Sequence, residues 1–68
     1  MIQFNTIRAF SIQPGDKMPA PLAWGGWDRS KAVLVTDVRD SAGMKVITLE
    51  GGATVRAIPM NRVPFIRH

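Results

Sequence analysis

The sequence predicts an all-β fold: one domain over residues 1–68, built as a small five-stranded barrel with a long loop over about 19–30 and a 3₁₀ turn near 59–62. Three observations carry this. Lys31–Arg67 holds successive runs of Val, Ile, Leu and Thr in which no helix former dominates. Gly51-Gly52 stands between two such runs, as a tight primed turn requires. Pro14-Gly15 and Pro59 interrupt the chain where a ladder cannot continue.

In chain order, Met1–Ile12 alternates through Ile2, Phe4, Thr6, Arg8, Phe10 and Ile12, the period of a half-buried strand. Ile7 would point opposite to Phe4 and Phe10, so a bulge or break is expected around Asn5–Ile7. Gln13-Pro14-Gly15-Asp16 is a turn with proline preset at its second position and glycine free to take positive φ at its third. Lys17-Met18 begins a short strand. Pro19–Ser30, PAPLAWGGWDRS, has two prolines, two glycines and no period, which argues against a regular element.

Lys31–Val38 reads as the next strand and ends at the polar loop Arg39–Gly43. Met44–Glu50 and Ala53–Pro59 follow as a hairpin. With Gly51-Gly52 as its two-residue turn, Glu50 faces Ala53, Thr48 faces Val55, Ile47 faces Arg56 and Lys45 faces Ile58. One side of the meander then carries Leu34, Thr36, Val38, Met44, Val46, Thr48, Val55 and Ala57. The other carries Val33, Val35, Asp37, Lys45, Ile47, Leu49, Arg56 and Ile58. The charge-free side is the better candidate for the core, although the larger aliphatics of the other compete for it. If they are outside, Val33, Val35, Ile47, Leu49 and Ile58 form an apolar strip that the N-terminal segment, a protein partner or a second copy must cover.

Composition narrows the function. With 68 residues and no cysteine, there is no disulfide staple and no thiolate metal site, so the core must be efficient or shared. No charged start leads into a long apolar run, so neither a signal peptide nor a membrane span is expected and the cytoplasm is the default. The only histidine is His68, no nucleophile has a base beside it, and the carboxylates Asp16, Asp28, Asp40 and Glu50 fall at turns. Asp37 alone lies within a strand, facing Lys45. No phosphate-cradling glycine motif, metal cluster or cofactor site is present, and an enzyme is not expected.

The net charge is +4, and arginine outnumbers lysine six to three, which favours bidentate recognition of phosphate or carboxylate. Trp24-Gly25-Gly26-Trp27 places two large rings on a flexible hinge, followed at once by Asp28, Arg29 and Lys31. Rings beside cations suit single-stranded nucleic acid, since bases stack while phosphates meet charge. The structural alternative is that a Trp folds back as a lid on the barrel end.

Ile58-Pro59-Met60-Asn61-Arg62-Val63 resembles the Ile-Pro-x-Asn-x-Val segment of SH3 domains, where one 3₁₀ turn links the last two strands. Pro14-Gly15-Asp16-Lys17-Met18 is similar to the turn before the second strand in many SH3-like barrels, and Pro19–Ser30 then takes the place of the variable loop. The resemblance covers most of the chain and implies the fold. It does not imply reading of proline-rich peptides, because the chain has no tyrosine and Arg62 stands where the final motif has one. SH3-like barrels also include nucleic-acid-binding modules of translation and transcription proteins, which the positive charge suits.

Two functions follow as expectations. The first is a basic module binding DNA or RNA, with phosphates met by some of Arg29, Lys31, Arg39, Lys45, Arg56 and Arg62 and bases stacked on Trp24 or Trp27. The second is a protein-interaction module using the apolar strip and the Trp loop, as a homodimer or a small effector docking on a host protein. A chain of this size fits a stand-alone product of a phage or another mobile element.

Overall fold

A computed structural model describes residues 2–67 as an all-β chain with a single 3₁₀ turn, and His68 lies outside the described residues. β1 (Asn5–Arg8) pairs antiparallel with β6 (Arg62–Phe65). β2 (Lys17–Pro21), β3 (Trp27–Ser41), β4 (Met44–Leu49) and β5 (Thr54–Ala57) form a four-stranded antiparallel sheet in that order, curled into a half-barrel. Reciprocal backbone bonds between Lys17 and Ile66, 2.9 and 2.8 Å, tie the sheets together.

β3 is the spine: its first part pairs with β2 and its second with β4. Two irregularities let one strand serve both. Opposite Pro19, which has no N–H to donate, the register slips between Met18↔Val33 and Ala20↔Asp28, so that Arg29–Ala32 bulge outward. The Asp28 carboxylate organises the bulge by accepting from the Ser30 backbone N–H and hydroxyl. The second slip leaves Thr36 unpaired between Val35↔Leu49 and Asp37↔Thr48. Without it Val35 and Val38 would face opposite ways; with it both reach the core.

That core comprises Ala9, Ile12, Met18, Val35, Ile47, Leu49 and Val63, with Ile7, Trp27, Val33, Val38, Val55, Ala57 and Phe65 packed against it. It draws on both of the sides expected from the sequence. Bulging at Thr36 and a different register for β5 mix them, so the charge-free side is not the core as a unit. The expected apolar strip does not exist as a surface: Val35, Ile47 and Leu49 are buried, Val33 packs on them, and Ile58 is exposed apart from the others.

The β4–β5 register differs by one residue from that of a Gly51-Gly52 two-residue turn. Thr48 faces Thr54, Ile47 faces Val55 and Lys45 faces Ala57. The loop has three residues, Glu50-Gly51-Gly52, closed by Leu49 N–H to Ala53 O at 2.8 Å and Gly52 N–H to Leu49 O at 3.0 Å. The physical reason lies outside the hairpin: Glu50 N–H donates to Leu34 O of β3 at 2.8 Å, which anchors the loop and turns Leu49 inward.

Pro19–Ser30 is likewise no long loop. Pro19–Pro21 join β2, Trp27–Ser30 join β3, and only Leu22–Gly26 form the tip. Prolines are tolerated because each sits where the ladder needs no donor from it. The expected loop Arg39–Gly43 shrinks to a turn at Ala42-Gly43, since β3 runs on to Ser41 opposite Met44. The 3₁₀ element is Ala9–Ser11, just after β1 rather than near 59–62. Ile58–Asn61 is instead a single turn closed by Asn61 N–H to Ile58 O at 2.9 Å. The break expected within Asn5–Ile7 falls after Arg8, where that 3₁₀ turn swings Ala9 and Ile12 into the core.

Both residues of the Ala42-Gly43 turn have positive φ, +52° and +79°. Such a backbone costs an alanine about 1 kcal/mol, whereas asparagine tolerates it. Ala42→Asn is therefore expected to stabilise the domain by about 0.5–1 kcal/mol in urea unfolding. Destabilisation would contradict this turn geometry.

Candidate nucleic-acid interface

Four ion pairs sort the charges. Asp28 meets Lys31 at 3.9 Å, Asp37 meets Arg39 at 2.9 Å, Asp40 meets Lys45 at 2.8 Å and Asp16 meets Arg67 at 2.8 Å. Asp37 therefore pairs with Arg39 along its own strand and not with Lys45, because β3 and β4 put Asp40 opposite Lys45 and Thr48 opposite Asp37. Every aspartate is engaged. Among the described residues Arg8, Lys17, Arg29, Arg56 and Arg62 have no carboxylate partner within 4.0 Å, and neither has Glu50 a cation. Five free cations against one free carboxylate give the net charge of +4, so the excess charge resides in these side chains.

The expected binding residues separate into groups. Trp24 is 82 % exposed at the tip of the β2–β3 hairpin, where Gly25 takes a φ of +99° and donates to Leu22 O at 3.1 Å. Trp27 is half-buried at the start of β3 and packs on the core. The structural role anticipated for one Trp thus falls to Trp27, and Trp24 alone offers a free ring. Arg29 and Lys31 project from the bulge near the base of the same hairpin. Ser30, donating from hydroxyl and backbone, and then Lys31 hold the Asp28 carboxyl below its usual range, so Asp28 stays ionised there.

Arg39 and Arg56 lie in one cross-strand row, flanking Val46 on the outer face of β3, β4 and β5. Lys45 is absorbed into structure: its side chain is 18 % exposed and points to Asp40. Comparison with protein-family models, curated proteins and solved structures finds no match.

Arg62 has a neighbour that sequence reasoning did not include. It faces Arg8 directly across the β1–β6 ladder. Ala9 N–H donates to Asn61 O at 2.8 Å, so by alternation the Arg8–Arg62 position is a non-hydrogen-bonded pair, with Cα atoms about 4.5 Å apart and side chains on one face. That face is outward, since Ile7 and Val63 at the next position are core residues. Two like charges so placed repel by roughly 0.5–1 kcal/mol in water-like surroundings. The Arg8 guanidinium is steadied by donating Nη1–H to Met60 O at 2.6 Å. Phe10, half-exposed, is stitched beside them by its N–H to Pro59 O at 3.0 Å, and Ile58 and Met60 are exposed in the same turn. No sequence signal joins Arg8 to Arg62, because the contact spans most of the chain.

Proposed function

We propose that this chain is an SH3-like small barrel acting as a basic nucleic-acid-binding module. The carrying observation is that the excess charge sits on side chains free of carboxylates, four of them arginines: Arg8, Arg29, Arg56 and Arg62. The element order and the curled sheet support the barrel reading. Arginine forks suit phosphate oxygens, and Trp24 and Phe10 are large exposed aromatic side chains on which bases could stack.

The experiment is binding of fluorescent single- and double-stranded oligonucleotides at 50 and 200 mM salt. Affinity for a single strand is expected to fall between these by about 7-fold if two phosphates are neutralised and about 50-fold if four are. Salt-independent binding, or none at 50 mM, would reject the reading.

The exposed Trp24 ring favours a second reading, a protein-interaction module that uses the hairpin tip as an anchor. Its mark is binding to a protein partner that is insensitive to salt and lost in Trp24→Ala.

A further inference from the structure

Resting on the nucleic-acid reading, we propose that Arg8, Arg62 and Phe10 together form the principal contact for single-stranded nucleic acid, on the β1–β6 side of the barrel and on elements other than the Trp hairpin. Two observations carry this independently. The first is the cross-strand pair of arginines, directly opposite each other, neither with a carboxylate within 4.0 Å among the described residues. Self-repulsion makes that arrangement unfavourable in isolation, and an anion bridging the two guanidinium groups removes it. A phosphodiester group supplies such an anion and leaves its flanking bases free.

The second observation is what surrounds the pair. Phe10 is half-exposed, its backbone fastened to Pro59 O at 3.0 Å, while Ala9 before it is fully buried. The ring is thus presented from a 3₁₀ turn whose backbone is hydrogen-bonded to the turn before β6. Ile58 and Met60 are exposed on the turn to which Phe10 and Arg8 are hydrogen-bonded, and Arg8 is oriented in advance by donating to Met60 O. Cations with a fixed ring and an apolar shelf match the backbone and the unpaired base of a single strand. A duplex hides its base faces and offers nothing to Phe10.

Trp24 belongs to a different hairpin, the one that joins β2 to β3. Stacking on Trp24 is therefore not required by this assignment. That separates the present site from the one expected from sequence.

The test uses the full chain and a fluorescent oligo-dT and oligo-U probe at 50 and 200 mM salt, with melting curves for each variant. Arg62→Gln is expected to weaken binding about 5- to 10-fold and to reduce the salt slope by about 0.7, while melting is unchanged or higher because repulsion from Arg8 is relieved. Phe10→Leu, which keeps an apolar side chain and the backbone bond, is expected to weaken binding at least about 5-fold through lost stacking. If the unaltered chain binds with strong salt dependence but these variants bind as it does, this site is overturned and the general reading survives. If Trp24→Ala alone abolishes that binding, the hairpin tip is the site and the inference fails. If the unaltered chain binds neither probe at 50 mM salt, both fail.

Discussion

Ile47→Ala is expected to lower the unfolding free energy by about 3–4 kcal/mol and the melting temperature by more than about 12 °C. Ile47 is fully buried at the centre of β4, with Val38 opposite it on one side and Val55 on the other. Truncation removes three carbons from a site whose walls are strands held by ladders, so collapse around the void is small. A domain of 68 residues has on the order of 3–10 kcal/mol of stability in all, and the variant therefore approaches the edge of folding. Val46→Ala, one residue away on the outer face, should cost less than about 1 kcal/mol. Urea unfolding of both variants decides the point: comparable losses, or a larger one at Val46, would contradict the inward face assigned to β4.

The next largest effect belongs to Asp16. Its carboxylate is buried, accepts Arg67 Nε–H at 2.8 Å and a second Arg67 N–H at 2.9 Å, and also accepts Gln13 N–H at 3.0 Å. Arg67 additionally donates to Ser11 O at 3.0 Å and lies over the Phe65 ring at 5.2 Å. This clasp joins the turn after the 3₁₀ element to the chain that follows β6. The Arg67 hydrogen bonds above all, then the Gln13 N–H and the Arg67 charge, hold the Asp16 carboxyl below its ordinary value near 3.8, against the opposing effect of burial. Asp16 in turn raises Arg67, chiefly by the same bonds.

Asp16→Asn is expected to cost about 2–3 kcal/mol, less than a fully buried pair because the Arg67 side chain is 42 % exposed. Since the folded value lies below the unfolded one, this contribution is complete above the unfolded value. It fades as pH falls through and below about 4. Stability measured from pH 6 downward should therefore fall faster for the unaltered chain than for Asp16→Asn, the two curves converging in acid. Parallel curves would show that the clasp is not what titrates. Arg67→Lys offers a separate check: losing the bidentate fork and the contact with Phe65 should lower the melting temperature despite the retained charge.

Much of the fold was legible because its signals are local. The turn at Gln13–Asp16 follows from Pro14 and Gly15, and the structure closes it by Asp16 N–H to Gln13 O at 3.1 Å with Gly15 at a φ of +99°. The β character of Lys17-Met18, Lys31–Val38, Met44–Leu49 and Thr54–Ala57 came from side-chain type alone. Pro19–Ser30 was misleading for a reason in the same physics. Prolines and glycines mark an irregular segment unless the ladder needs no N–H there, and that depends on a strand elsewhere in the chain. Ala42 gives no turn signal at all, because alanine enters positive φ only when the strands on both sides force it.

The candidate site divides in the same way. The charge excess was visible in composition, but which cations lack a carboxylate, and that Trp24 is exposed while Trp27 packs on the core, was decided by packing. Sequence by itself determined the all-β class, the strand character at the centre of the meander, the Pro14-Gly15 turn and the charge excess, since each depends on residue types within a few positions. Tertiary structure alone decided the two bulges of β3, the β4–β5 register, the inward face, the Asp16–Arg67 clasp and the meeting of Arg8 with Arg62. Those are set by which distant backbone groups and side chains satisfy one another, and nothing within a short window encodes that.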